Sequence, residues 1–325
     1  MPTVLIGSGP LRNRPGPYRD LLVDAGFTPI DVEGTHTLTE AELRAVLPGA
    51  DAIVAGGEPL SAPLLALAPK LRVIARTGVG YDSVDVAAAS ARKIVVTITP
   101  GTNHDSVAEH TFALLLALTR RIVADDRIIH DGGWDRTMPR PLRGTTLGLI
   151  GLGRIGRAVA LRAVAFDMRV IAFDPVADAP FDAHYGIDRV SMDELLARSD
   201  AVSLHLPLLE TTRGLVNQAF LARMKPGALL LNTSRGGLIV EADLYQGLAS
   251  GRLGGAGLDV TEPEPTRPDN PLLLAPNLII SPHIAGIDTR AMADMAELAA
   301  RCIVDLFEGH WPTPCIVNPE LGPDW

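Results

Sequence analysis

Three short stretches late in the chain carry the residue types that proton transfer at a carbonyl requires. Asn232-Thr233-Ser234-Arg235-Gly236-Gly237 sets a guanidinium between a small hydroxyl residue and two glycines. Leu258-Asp259-Val260-Thr261-Glu262-Pro263-Glu264-Pro265 supplies carboxylates, and Ser281-Pro282-His283-Ile284-Ala285-Gly286 supplies an imidazole. A guanidinium can grip a substrate carboxylate with two parallel hydrogen bonds and polarise the neighbouring carbonyl. An imidazole titrates near ~6.5, and an adjacent carboxylate favours its protonated form, which keeps a proton deliverable near neutrality. Spacing alone leaves Glu262 and Glu264 equally eligible as that carboxylate. Each of these residues also has a structural reading: a surface cation, a turn acid, a satisfied buried imidazole.

A nucleotide site is written earlier. Residues 146–150 read as a buried strand and 154–160 as an amphipathic helix, joined by Gly151-Leu152-Gly153-Arg154-Ile155-Gly156. In such a Gly-x-Gly-x-x-Gly junction the first glycine makes the turn and the second lets backbone approach a pyrophosphate. The third allows close helix–strand packing, and the helix N-terminal N–H groups face the phosphates. A second strand, 169–174, ends in Asp174, 18 residues after Gly156, where a carboxylate can accept both adenine-ribose hydroxyls. Asp174 would repel a 2′-phosphate and 175–180 contains no Lys or Arg, so the expected cofactor is NAD.

These loops need strand ends to hold them. Short apolar runs at 3–7, 29–32, 52–55, 73–75 and 94–98 alternate with helical stretches at 18–25, 40–47, 63–67 and 84–92. That alternation is the signature of repeated β-α units and a parallel sheet covered on both faces. Gly7-Ser8-Gly9 reads as a turn, because Arg12 stands where a third glycine would be wanted. Residues 106–129 lack Pro and Gly and repeat apolar residues at helical spacing, so they are expected to form one long helix leading into a second domain. Further strands are expected near 201–206, 228–233, 257–260 and 278–281, and a last helix at 289–308. The expected fold class is α/β with two doubly wound parallel-sheet domains. Residues 1–100 with 287–325 would form a flavodoxin-like substrate domain, and 101–286 an inserted Rossmann domain.

Composition narrows the partners. With 325 residues and 47% hydrophobic content the chain can build two ordinary cores, and a net charge of −9 provides no basic face for nucleic acid or an anionic membrane. Cys302 and Cys315 are too few for a disulfide framework or a thiolate metal site, which suits a reducing compartment. Apolar runs such as 112–118 are too short to span a membrane, and the N-terminus lacks a signal-peptide pattern, so a cytoplasmic location is expected. No metal site is expected, since His104 and His110 have no accompanying ligand cluster.

Taken in order, these motifs resemble the D-2-hydroxyacid dehydrogenase family, which includes phosphoglycerate, glyoxylate and hydroxypyruvate enzymes. The resemblance also covers Arg76-Thr77-Gly78-Val79-Gly80-Tyr81-Asp82, Gly101-Thr102-Asn103, Val107-Ala108-Glu109-His110, Pro207 with Thr212, and Val317-Asn318-Pro319-Glu320. It implies an NAD-dependent enzyme that interconverts a D-2-hydroxy acid and its 2-keto acid. It assigns Arg235 as substrate binder, His283 as acid/base and Glu264 as its partner carboxylate. Gly151, Gly153, Arg154, Ile155, Gly156, Asp174, Pro207, Thr212, Thr233 and Asp259 would contact NAD, with Asp259 at the carboxamide. Arg76, Gly78, Val79 and Gly80 would bind the substrate. Arg76 and His110 fit a structural role equally well, and Glu109 suits a hinge.

The resemblance further implies a homodimer through the 106–129 helix and its apolar 112–118 section. It puts Glu58 beside the substrate, where a carboxylate would repel a phosphorylated one, so glyoxylate or hydroxypyruvate is expected ahead of 3-phosphohydroxypyruvate. An NAD(H)-responsive corepressor on the same scaffold is the alternative, because fold does not fix function.

Overall fold

The computed structural model describes residues 1–325 except Ala177, in the stretch after Asp174, and Asp324. Contacts divide the chain into two compact units, Met1–Asn103 with Ile287–Trp325, and His104–Gly286.

The first unit is built on five parallel strands: β1 (Thr3–Ile6), β2 (Thr28–Asp31), β3 (Ala52–Ala55), β4 (Val73–Arg76) and β5 (Val95–Thr97), in the order β2-β1-β3-β4-β5. Strands β3 and β4 are buried along their whole length, as central parallel strands covered on both faces must be, which explains their apolar sequence, broken only by Arg76 at the end of β4. Helices α1 (Pro17–Asp24), α2 (Glu40–Val46), α3 (Ala62–Leu65) and α4 (Val86–Ala91) connect them. Between β1 and α1 the Gly7-Ser8-Gly9 turn runs into a single 3-10 turn, Gly9–Leu11. A side chain at position 9 would lie 2.0 Å from the Thr35 carbonyl oxygen, so glycine there serves packing.

The second unit opens with α5 (His104–Thr119) and α6 (Ile122–His130). The single helix expected over 106–129 is therefore wrong. Arg121 adopts a left-handed conformation, φ 58°, and restarts the chain in a new direction, with its guanidinium paired to Asp125 at 3.2 Å. No Gly or Pro marks the break, so the apolar periodicity ran straight through it. Phe112, Leu114 and Leu115 are buried in this unit's own core, against Leu147, Leu149 and Val159, whereas α6 buries no residue.

Seven parallel strands follow: β6 (Thr146–Ile150), β7 (Arg169–Phe173), β8 (Asp188–Arg189), β9 (Ala201–Leu204), β10 (Ala228–Asn232), β11 (Leu253–Leu258) and β12 (Leu278–Ile280). Their order is β12-β11-β10-β9-β6-β7-β8, so the winding reverses at β6, where β7 pairs on one side and β9 on the other. Ligands of doubly wound sheets bind at the carboxyl ends of strands beside such a switch point. Helices α7 (Arg154–Ala165), α8 (Ala179–Tyr185), α9 (Met192–Arg198), α10 (Gln218–Arg223) and α11 (Glu241–Ala249) make the crossovers.

Helix α12 (Thr289–Phe307) belongs to the first unit, where it packs on α1, β3 and β4. Asp288 caps it by accepting from the N–H groups of Arg290 at 2.8 Å and Ala291 at 2.7 Å. Beyond it, Asn318 accepts from Val96 N at 2.9 Å and donates to Ile94 O at 2.9 Å, covering the β5 edge.

Candidate active site

His283 sits on the loop that leaves β12, and Asp259 at the end of β11 fixes that loop. Its buried carboxylate accepts from Ser281 Oγ at 2.6 Å, Ile284 N at 2.9 Å and Ala285 N at 2.8 Å, while its carbonyl accepts from His283 N at 2.8 Å. His283 is held at φ 54°. A left-handed conformation costs a non-glycine residue roughly 1–3 kcal/mol and persists only when neighbours over-determine it, as these four bonds do. The conformation directs His283 Nδ1 at Glu264 Oε2, 2.6 Å away, and leaves Nε2 without a partner among the described residues. With Glu264 ionised, Nδ1 carries the donated proton and Nε2 is the nitrogen open to exchange. The other Glu264 oxygen accepts from Thr261 N at 3.2 Å. Glu262 turns elsewhere, to Arg213 at 2.8 Å, so geometry separates the two acids that spacing could not.

Arg235 leaves β10 on a loop braced by Asn232, which is fully buried. The Asn232 amide donates to Arg235 O at 2.8 Å and accepts from Ser234 N at 3.0 Å. This loop lies directly on the acid loop: a side chain at Gly236 would come within 2.1 Å of Thr261 O. The half-buried Arg235 donates to Ser234 O at 2.6 Å, and Thr233 Oγ1 lies 3.0 Å from Thr111 Oγ1 on α5.

At the glycine junction each glycine meets a different surrounding. A Cβ at Gly151, φ 97°, would lie 2.4 Å from His205 O, and one at Gly156 would lie 2.3 Å from Gly151 O. A Cβ at Gly153 meets nothing within 4 Å, and no side chain caps α7 there. That open space beside bare helix N–H groups fits a pyrophosphate. Asp174 accepts from Leu152 N at 2.6 Å and Val176 N at 2.7 Å, which aims its carboxylate at the junction with lone pairs to spare. Arg154 is exposed and Ile155 half-buried beside it. Two cations fall near Asp174 that a reading of 175–180 could not find: Arg189 donates to the carbonyls of Asp174 and Val176, and Arg157 pairs with Asp178 at 2.6 Å. Thr212 closes its own turn, donating to Pro207 O at 2.8 Å and accepting from Leu209 N at 2.8 Å. Burial pushes the His205 imidazole down to about 4, so it is neutral near pH 7.

The first unit holds the remaining residues. Arg76 is 8% exposed and braces two turns, donating to Gly80 O at 3.0 Å, Ser83 Oγ at 3.0 Å and Gly56 O. Gly78 N is taken by Thr99 Oγ1 at 2.9 Å, while the N–H groups of Val79 and Gly80 have no partner among the described residues. Glu58 overturns an expectation. It is 1% exposed and turns inward to accept from Gly56 N, and burial pushes its carboxyl up, so it offers no surface charge to repel a substrate phosphate. Among the described residues no group of three or more His, Cys, Asp or Glu is placed to hold a metal ion, and no helix is long and apolar enough to cross a membrane.

Residues 112–285 match the model of the D-isomer specific 2-hydroxyacid dehydrogenase NAD binding domain, a span of more than half the chain. The chain belongs to the D-isomer specific 2-hydroxyacid dehydrogenase family. It is 41% identical over 270 residues to a glyoxylate reductase of Korarchaeum cryptofilum, covering 81% of each protein. It is 39% identical over 297 residues to a D-3-phosphoglycerate dehydrogenase of Archaeoglobus fulgidus, covering 90% of this chain and 56% of that one. The chain thus spans little more than half the length of that relative. Among solved structures, a Thermus thermophilus protein superposes with a TM-score of 0.87 at 39% identity, covering 98% of this chain and 100% of that one. A D-lactate dehydrogenase of Aquifex aeolicus, complexed with NAD and lactic acid, superposes at 0.85 with 30% identity and covers 97% and 98%. As a D-isomer specific 2-hydroxyacid dehydrogenase the chain is an oxidoreductase acting on CH–OH donors, with NAD as its cofactor. Its fold is the expected α/β class with a Rossmann NAD-binding domain.

Proposed function

We propose that this enzyme reduces a small 2-keto acid to the D-2-hydroxy acid, with His283 as acid/base, Glu264 as its orienting carboxylate and Arg235 as substrate binder. The observation that carries the reading is the 2.6 Å contact between His283 Nδ1 and Glu264, on a loop that Asp259 immobilises. Bound NADH supplies the hydride that C2 receives. Arg235 grips the carboxylate and polarises the C2 carbonyl, and His283 Nε2 delivers the proton to the carbonyl oxygen. The reverse reaction returns that proton to Nε2. The Val79 and Gly80 N–H groups form an anion-binding nest for the substrate, with Arg76 as the brace of their loop. Gly151, Gly153, Arg154, Ile155 and Gly156 hold the pyrophosphate, Asp174 the ribose, and Pro207, Thr212, Thr233 and Asp259 border the rest of the cofactor. Residues 1–100 with 287–325 serve as the substrate domain.

The substrate is small and carries no phosphate. Glyoxylate reductases of Korarchaeum cryptofilum and Thermofilum pendens, each 41% identical over 81% of this chain, support an unphosphorylated substrate. NADH oxidation with glyoxylate, hydroxypyruvate, pyruvate and 3-phosphohydroxypyruvate tests this: kcat/KM is expected to be higher for the unphosphorylated acids. A preference for the phosphorylated one overturns the substrate class. Tight NADH binding with no turnover of any keto acid points to the corepressor-like alternative.

The enzyme works in the cytoplasm as a homodimer. Ile122, Val123 and Ile129 on α6 are 61%, 48% and 51% exposed, and Trp134 and Met138 beyond it are 82% and 91% exposed, an apolar surface of the kind that subunit association covers. Sedimentation is expected to show a dimer at micromolar concentration, dissociated by Ile129→Glu. A wild-type chain that sediments only as monomer rejects the interface.

A further inference from the structure

Helix α5 is apolar toward the core, yet its first half carries Ser106, His110 and Thr111, and each meets a loop of the site. Ser106 Oγ donates to Ala285 O at 2.8 Å, His110 Nε2 lies 2.7 Å from Ser281 Oγ, and Thr111 Oγ1 lies 3.0 Å from Thr233 Oγ1. Ser106 and His110, four residues apart, stack on one stripe of the helix, and Thr111 flanks it.

The directions of these bonds follow from what each group can do. Asp259 is a pure acceptor when ionised, so Ser281 spends its single hydroxyl proton on Asp259 at 2.6 Å. Ser281 Oγ must then accept from His110, which sets the proton of that imidazole on Nε2. The result is a one-way relay, His110 Nε2–H to Ser281 O–H to Asp259, and the Asp259 carboxylate in turn holds the backbone N–H groups of Ile284 and Ala285, just after His283. Thr111 donates to Val107 O at 2.8 Å within its own helix, so Thr233 donates to Thr111, two residues before Arg235.

We infer that His110 and Thr111 are positioning residues for catalysis: α5 holds the His283 loop and the Arg235 loop in mutual register through these two hydroxyl-mediated links. The inference rests on the acid/base reading of His283 and extends it to side chains that need touch neither substrate nor cofactor. Reacting groups must be held to within a fraction of an ångström, and a displacement near 1 Å costs about 10²-fold in rate. A loop held in a left-handed turn needs such external support.

The test uses the full-length enzyme with NADH and glyoxylate. His110→Phe removes the donor and is expected to lower kcat about tenfold to a hundredfold, with the NADH Kd within about twofold of wild type. Deuterated NADH is expected to show a larger primary isotope effect in this variant, because the chemical step has slowed. His110→Gln, which keeps a donor on a nitrogen at similar reach, is expected to recover most of the rate. Thr111→Val, of equal shape, is expected to raise the KM for glyoxylate about fivefold, the worth of one hydrogen bond, by loosening the Arg235 loop. The double variant His110→Phe/His283→Gln is expected to be no slower than His283→Gln alone, as residues acting through one another are not additive. Unchanged kcat and isotope effect in His110→Phe, equal losses in Phe and Gln, or additive losses in the double variant overturn the positioning role. Full turnover by His283→Gln would remove the acid/base reading and this inference with it, a pattern distinct from a failure of His110 alone.

Discussion

Purified His283→Gln is expected to bind NADH as tightly as the wild type while turning over about 10²–10⁴-fold more slowly. Glutamine offers a hydrogen bond but cannot take and return a proton, and position 283 lies on the loop after β12, whereas the proposed pyrophosphate site is the glycine junction between β6 and α7. The loop itself should persist, because Asp259 grips the backbone of Ile284 and Ala285 whatever stands at 283. His283→Asn is the better-fitting companion, since asparagine tolerates the left-handed conformation at φ 54° and also cannot relay a proton. Arg235→Ala should lose a comparable factor in kcat/KM, as a charge-assisted grip on a carboxylate disappears. Cofactor fluorescence titration alongside steady-state rates separates binding from chemistry. Near-normal turnover in the folded glutamine and asparagine variants would dismiss His283 as acid/base.

The second large effect contrasts two glycines of one motif. Alanine at Gly156 would force a methyl to 2.3 Å from the Gly151 carbonyl oxygen, a backbone atom that cannot rotate away, so α7 and β6 must separate. Overpacking of this kind costs about 1–3 kcal/mol, or roughly 2–4 °C in Tm for each kcal/mol in a domain of this size, and spoils the junction for NADH. Alanine at Gly153 meets nothing within 4 Å, so the apoenzyme should melt unchanged, yet the methyl fills the recess and NADH affinity should fall at least tenfold. Melting curves with and without NADH distinguish the two. If Gly153→Ala retains full NADH stabilisation, the recess is not where the pyrophosphate lies.

The α/β architecture was legible because burial on both faces of a parallel sheet leaves a one-dimensional trace: β3 is apolar throughout and β4 up to Arg76, and most of the strands are followed by a helical run. The glycine junction was legible because its spacing is local: Gly151 and Gly156 stand where the chain leaves no room for a Cβ, and Gly153 leaves a recess open between them. What escaped were choices made by tertiary contacts. The turn at Arg121 uses an arginine in a conformation normally left to glycine or asparagine, with no local mark of its position. Glu58 is charged and flanked by turn residues, which signals exposure, but its loop folds inward. Glu262 and Glu264 differ only in which loop each reaches. The polar stripe of α5 did leave a trace, hydroxyl and imidazole residues four apart in an otherwise apolar helix, although its partners lie more than a hundred positions downstream.

The division of the chain also dictates an order of events during synthesis. The second unit is continuous from His104 to Gly286, whereas the first is split, and its core needs Ala296, Ala299, Ala300 and Ile303 of α12 beside Val4, Val54 and Ala75. The N-terminal hundred residues leave the ribosome first but lack one wall of their core until α12 appears. Folding therefore runs against the usual N-to-C order. The nucleotide-binding unit can close while the opening strands still wait, so a chaperone meeting the nascent chain would find its exposed apolar surface on β1, β3 and β4.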